Sequence, residues 1–255
     1  MTIYMQITGR LGNQLFQIAT AYALARQSNQ NFVMVYNGYN QYEQEYKSYF
    51  HELPWITRQN LPNSPNLNIY SEKHGGVNCF QYNSNLNLKV QELKSQALYL
   101  DGYFQNEKYF KCYTDNLKKM FLKKPVENVN GYFIHVRRGD YVNHPVYEID
   151  YTSYLKKAIE HFPKDSQFYV VSDDITYCKT SEMFKQLTLA LLTFVELDTI
   201  DTLNFMAACK GGICANSSFS WWGAYLGGRE IVTFPKQWIN NGMEVDIFFE
   251  NSIVI

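Results

Sequence analysis

Chemically capable side chains cluster in the stretch His135-Val136-Arg137-Arg138-Gly139-Asp140-Tyr141. It follows a short apolar run, Gly131-Tyr132-Phe133-Ile134, that reads as a buried strand. Two adjacent guanidiniums at a strand end suit an anionic ligand, because arginine grips phosphate oxygens through a planar fork of donors. His135 and Asp140 bring a titratable imidazole and a carboxylate to the same turn. A surface turn closed by an Arg–Asp ion pair would use the same residues, and the seven positions taken alone fit both readings.

Three further groups could join this chemistry. Ser172-Asp173-Asp174 offers carboxylates for a metal, for ribose hydroxyls or for a guanine edge, although its spacing is not that of a metal site with a known ligand count. In Ala215-Asn216-Ser217-Ser218-Phe219-Ser220-Trp221-Trp222, Ser217 or Ser218 can cap a helix, and the same hydroxyls and N–H groups can hold a phosphate. Trp221 and Trp222 could stack on a ring, but packing of the helix against a sheet is the favoured role. Gly9-Arg10-Leu11-Gly12-Asn13-Gln14 stands between a strand and a helix, a place where backbone N–H groups attract phosphate. Glycines there also serve a plain tight turn, and that use is favoured when the turn is read alone. The turn is neither G-x-G-x-x-G nor a P-loop, which disfavours a dinucleotide oxidoreductase and a Walker-type nucleotidase.

These groups need elements to position them. Residues 2–7 read as a strand, and the apolar spacing from Leu15 to Ala25 predicts a helix ending near Ser28-Asn29. Strands are expected at 32–35 and 97–100, with an amphipathic helix over 106–122. Residues 37–66, broken by Pro54, Pro62 and Pro65, read as short helical turns and loops. Residues 74–96, with Gly75-Gly76 and an asparagine-rich run, read as loops around a short strand. Lys124-Pro125-Val126-Glu127-Asn128 is the expected boundary between domains 1–125 and 126–255. Beyond it strands (131–136, 168–171, 193–195, 212–215, 231–234) alternate with helices (152–162, around 175–187, 199–209, 218–227). Repeated βα units imply a parallel sheet covered by helices, which brings the polar groups of the second half to one edge.

The 255 residues suit one large domain or two ordinary ones, and 46% hydrophobic against 18% charged residues provides for a sizeable core. A net charge of −1 without a basic run excludes a nucleic-acid or membrane-surface footprint, so any positive patch must be local. The five cysteines lack C-x-x-C spacing and fit free thiols, with Cys209 and Cys214 as core fillers. The sequence opens on Thr2-Ile3-Tyr4-Met5 without a basic, then apolar, leader, and no run reaches the length of a spanning helix. A cytoplasmic protein is expected.

Gly9-Arg10-Leu11-Gly12-Asn13-Gln14-Leu15-Phe16-Gln17, Gly102-Tyr103-Phe104-Gln105, His135 to Tyr141, Ser172-Asp173-Asp174 and Ala215 to Ala224 occur in that order. Together they closely resemble the α-1,2-fucosyltransferases, glycosyltransferase family 11. The resemblance implies a GT-B fold of two Rossmann-like domains facing across a cleft, an N-terminal acceptor-side domain and a C-terminal domain for GDP-fucose. It implies galactoside 2-α-L-fucosyltransferase-like activity: inverting transfer of L-fucose from GDP-β-L-fucose to a glycan hydroxyl, usually O2 of galactose, with no cofactor and no metal. Arg137 would hold the β-phosphate, with Arg138 in support. His135 and Asp140 would shape the nucleotide pocket, and Asp140 is one candidate proton acceptor, Glu148 another. Gly12, Asn13, Gln14, Asp173, Asp174, Asn216, Ser217, Ser218 and Phe219 complete the implied substrate contacts, with Asn13 reaching the donor across the cleft. One departure stands out: family members often carry Trp shortly after S-D-D, where this sequence runs Ile175-Thr176-Tyr177-Cys178. The same fold using another nucleotide sugar or linkage, and a carbohydrate-binding protein that has lost transfer, remain as alternatives.

Overall fold

The computed structural model describes residues 2–38, 41–62, 67–72, 79–93, 96–124, 127–187 and 191–255, apart from the side chains of 41 and 43–45. Pro65, Gly75-Gly76 and Pro125-Val126, used above as breakers and boundary, lie outside the described residues. The chain divides into two compact units, Met1–Leu117 and Lys118–Ile255, within a helix seven residues ahead of Pro125.

The first unit runs β1 (Thr2–Gln6), α1 (Leu11–Ser28), β2 (Asn31–Tyr36), α2 (Gln41–Tyr49), β3 (Trp55–Thr57), β4 (Asn68–Ser71), α3 (Asn85–Glu92) and β5 (Leu98–Asp101), and the start of α4 (Thr114–Phe121) closes it. Its strands form one parallel sheet in the order β3-β2-β1-β5-β4. The order reverses beside β1, so the turns after β1 and β5 flank a switch point, where open α/β sheets bind ligands. Helix α1 is buried on nearly every face and takes Gln14, Gln17 and Thr20 inside with its apolar residues. It stops at Asn29, whose left-handed backbone turns the chain toward β2.

Two expectations are corrected here. The stretch 74–96 contains no strand among its described residues. It forms α3, because Leu86 and Val90, four residues apart, bury one side of a helical turn. Strands β3 and β4 are short edge strands within the region read as turns and loops, or just after it, and lack the alternation that would reveal them.

The second unit runs β6 (Tyr132–Val136), α5 (Tyr151–Ala158), β7 (Gln167–Ser172), α6 (Ile175–Thr180), α7 (Glu182–Lys185), β8 (Leu191–Phe194), α8 (Thr199–Ala208), β9 (Gly212–Ile213), α9 (Ser218–Leu226), β10 (Val232–Phe234) and β11 (Ile253–Val254). The sheet is parallel, in the order β11-β10-β9-β6-β7-β8. The single helix expected around 175–187 is two, because Ser181 adopts an extended backbone and caps the second. Side chains of Asp150, Asp174, Asp198 and Ser217 accept backbone N–H bonds at the starts of α5, α6, α8 and α9. Strand β6 is buried at all five positions and lies between β7 and β9. From it the chain first builds outward through β7 and β8, then returns to β9 on the other side. The switch point therefore falls between the turns that follow β6 and β9.

Candidate functional site

The turn after β6 carries both arginines, and carboxylates from the turn after β7 hold them. Arg137 Nη1 donates to Asp173 Oδ2 at 2.6 Å, and Nη2 donates to Asp140. The backbone N–H of Arg138 donates to Asp173 Oδ1 at 2.8 Å, and its Nε to Asp174 Oδ2 at 3.2 Å. Asp174 also caps α6 by accepting from the Tyr177 N–H at 3.0 Å. The Arg138 guanidinium lies over the Tyr177 ring, its Cζ 3.4 Å from the centroid, a cation–π contact. Gly139 is required here. Its φ is +27°, and a Cβ would stand 2.5 Å from Asp173 Oδ2. Two arginines and three carboxylates leave this cluster with a formal charge of −1. An anion must therefore compete with a carboxylate. The side chain of Asp140 is 52% exposed against 27% for Asp173, so Asp140 can be displaced at less cost.

His135 precedes the arginines and is buried, its ring centroid 5.6 Å from that of Phe219. Burial first, and the neighbouring Arg137 charge second, push its pKa down to about 3, so it is neutral near pH 7. Its Nδ1 has no hydrogen-bond partner among the described residues. The second turn of the switch point is tied to the first, since Tyr141 Oη donates to the Asn216 carbonyl at 3.2 Å. Asn216 is buried, and its Nδ2 donates to the carbonyls of Tyr147 and Trp238 at 2.9 and 3.0 Å. The structure thus places Asn216 as a brace of this turn. Ser217 caps α9, accepting from the Phe219 N–H at 3.3 Å, and Ser218 opens that helix. Trp221 and Trp222 are fully buried, and Trp221 Nε1 donates to the Ile247 carbonyl at 2.7 Å, which settles both as core. Tyr141, Tyr147 and His144 stack in series, with centroids 5.0 and 4.4 Å apart. Sequence reading overlooked Tyr147 and His144, which lie in a loop without periodicity.

Gly12, Asn13 and Gln14 form their own cluster at the switch point of the first unit, in the opening turn of α1. Gln14 is fully buried, and its Nε2 donates to the carbonyls of Gly9 and Tyr42 at 2.9 and 3.1 Å. It secures the turn from inside. Gly9 needs its φ of +78°, and a Cβ there would meet Asn13 Nδ2 at 2.5 Å. Asn13 Oδ1 accepts from Gln105 Nε2 at 2.7 Å. Gln17 joins the two turns of this switch point, accepting from the Thr8 N–H at 3.0 Å and donating to the Gly102 carbonyl at 2.9 Å.

The residue most completely missed is Glu72, just after β4. It is only 4% exposed. Its Oε2 accepts from the backbone N–H groups of Tyr103 and Phe104 at 2.6 and 3.1 Å, while Oε1 has no partner among the described residues. Burial outweighs those two bonds and raises its pKa to about 7. The absent signal was the strand: without β4, an acidic residue in a polar stretch looks solvated. Among the described residues, no group of three His, Cys, Asp or Glu side chains is placed to hold a metal ion, and no helix is long and apolar enough to cross a membrane.

Comparison with known proteins agrees with this architecture. Two Escherichia coli proteins align along most of the chain. An alpha-1,2-colitosyltransferase is 27% identical over 285 aligned positions, covering 92% of each protein. The O-antigen biosynthesis glycosyltransferase WbnK is 27% identical over 288 positions, covering 92% of this chain and 94% of its own length. Among solved structures, E. coli heptosyltransferase WaaC with ADP-2-deoxy-2-fluoro heptose matches all of this chain and 93% of its own, with a TM-score of 0.52 at 10% identity. That likeness bears on fold alone, and with the two parallel α/β units it identifies the GT-B fold expected from the sequence. Residues 80–251, more than half of the chain and including both turns of the second switch point, match the model of glycosyl transferase family 11, and the chain belongs to that family.

Proposed function

We propose that this glycosyltransferase moves L-fucose from GDP-β-L-fucose, with inversion, to O2 of a galactose in a glycan acceptor. The observation that carries the reading is the Arg137–Arg138 pair, presented at the switch point of a parallel sheet and held there by Asp140, Asp173 and Asp174. Attack by the acceptor hydroxyl on the anomeric carbon breaks the bond to the β-phosphate oxygen. The electron pair of that bond stays on the departing GDP. A guanidinium fixed in advance stabilises that growing charge without reorganising. Arg137 has five N–H donors, of which Asp140 and Asp173 take one each, so a diphosphate that displaces Asp140 meets a guanidinium still anchored by Asp173.

Other candidates take supporting parts. The N–H groups and hydroxyls of Ser217 and Ser218 face the diphosphate, neutral His135 offers its Nδ1 to the nucleotide, and Arg138 on Tyr177 supplies a flat wall for the base. Asn13 contacts the donor sugar. Asp140 restrains Arg137 and, with Glu148, is a candidate acceptor for the proton that the attacking hydroxyl gives up; a proton arriving at Asp140 would weaken its ion pair with Arg137. The reaction needs no metal in this reading, and a chelator leaves the rate unchanged. Five free cysteines suit work in a reducing cytoplasm.

One comparison favours a second donor: a relative aligned over 92% of the chain is named a colitosyltransferase. Thermal melts with GDP, UDP and NAD test the nucleotide, since a ligand that binds only the folded state raises the melting temperature. GDP is expected to stabilise most, and equal shifts overturn the assignment. Incubation with GDP-fucose or GDP-colitose and a panel of galactosides, followed by linkage determination, then decides between the donors and fixes the position of transfer.

A further inference from the structure

We infer that Glu72 is a positioning residue of this reaction: its buried carboxylate holds the Gly102–Gln105 turn, and that turn in turn holds the amide of Asn13. The inference rests on the reading of Asn13 as a donor contact and extends it to a side chain that touches no substrate.

The geometry is a chain of contacts within the first unit. Glu72 Oε2 receives two successive backbone N–H groups, those of Tyr103 and Phe104. Phe104 sits at φ +52°, a left-handed conformation that a bulky side chain seldom adopts and that must be held from outside. The next residue, Gln105, donates to Asn13 Oδ1, and thereby directs which end of the Asn13 amide faces the ligand. The same turn is pinned a second time by Gln17 at the Gly102 carbonyl. Gly102 permits the close approach, since a Cβ there would stand 2.4 Å from Glu72 Oε2.

An ionised carboxylate grips N–H donors more strongly than a neutral one. No counter-ion faces Glu72 among the described residues. Asp101 at the end of β5 repels its charge, and Tyr70, Cys79 and Tyr109 are the other titratable groups near it. All three of those groups are pushed upward by burial and stay neutral near pH 7. Glu72 therefore gains and loses its charge around pH 7, and the clasp tightens as the pH rises through that value.

The test pairs kinetics with resonance. Glu72→Gln is expected to lower kcat/KM for the nucleotide-sugar donor about tenfold, the loss of a charge-assisted hydrogen bond, and to remove an acid limb near pH 7. On an Asn13→Ala background the same change is expected to cost nothing further. Full, additive losses in both backgrounds, or an acid limb that survives Glu72→Gln, overturn the inference. Nuclear magnetic resonance of the Asn13 side-chain amide gives a readout that needs no turnover. Its resonance is expected to shift with a midpoint near pH 7 in the unaltered protein, and to ignore pH in Glu72→Gln and in Gln105→Leu, which cuts the link while leaving Glu72 in place. A chain that transfers no fucose yet shows this linked shift overturns the proposed function and keeps the clasp. A chain that transfers fucose while its Asn13 amide ignores pH does the reverse.

Discussion

The two switch points of this molecule solve one problem with opposite materials. In the second unit the turn after β6 is fixed by charge, with Arg137 and Arg138 set against Asp140, Asp173 and Asp174. In the first unit the turns after β1 and β5 are fixed by amides, Gln14, Gln17 and Gln105, and the second of these turns also by Glu72, a buried carboxylate that faces no counter-ion among the described residues. Under the proposed function, the difference follows from what each turn would meet. A diphosphate needs cations, and cations at a surface need carboxylates to keep them in place. A neutral sugar needs directed donors and acceptors, which amides supply without long-range fields.

The comparison can be broken at several points. Arg137→Ala has the largest expected effect: a loss of about 100- to 1000-fold in kcat, the usual result of removing a preorganised oxyanion donor, with the fold kept. Arg137→Lys should recover little, because an ammonium lacks the fork. Normal turnover by the alanine variant would remove charge stabilisation from the second switch point altogether. Glu72 comes next, and here the sign is fixed by its raised pKa. The folded state holds the Glu72 proton more tightly than the unfolded chain, so Glu72 contributes stability that is present below pH 4.5 and lost as the pH rises through about 7. Denaturant melts of the Glu72→Gln variant and the unaltered protein should therefore diverge in the variant's favour by on the order of 3 kcal/mol between these limits. A constant difference would mean that the carboxylate is not paying a desolvation cost.

Asn216→Ala sharpens the contrast within the second unit, where an amide does the bracing beside the charges. It leaves two carbonyls without their donor and should cost about 1–3 kcal/mol in chemical denaturation. Asp140→Asn is expected to have the smallest effect. Removing a half-exposed competitor for Arg137 should tighten GDP binding a few-fold, in line with the roughly 0.2–1 kcal/mol of such pairs. Calorimetric titration with GDP reads this directly. If transfer collapsed while GDP bound normally, Asp140 would be a proton acceptor and not a restraint.

What the sequence disclosed follows the same divide. Long apolar runs announced the central strands and the helices α1, α5, α8 and α9, and adjacent arginines announced the charged turn. The resemblance brought Asn13 and Gly12 to notice. The amide network stayed hidden because Gln17 and Gln105 look like ordinary polar positions until their partners are known. Glu72 stayed hidden because β4, which buries it, is too short to show a period. The resemblance implies Asn216 as a substrate contact, and its motif position gave no sign of the bracing role that its two carbonyl partners add.

The close fit of Gly102 to Glu72 has a consequence for how such sequences can diverge. A methyl group at position 102 would overlap the carboxylate, with Glu72 Oε2, Cγ and Cδ at 2.4, 2.6 and 2.7 Å from the added carbon. The two positions are thirty residues apart in the chain and are free to mutate separately, yet neither can accept a bulkier occupant without the other yielding. Homologues should therefore show them changing as a pair: a lineage that acquires a side chain at 102 has to give up the acid at 72, and with it the sensitivity of this turn to protons.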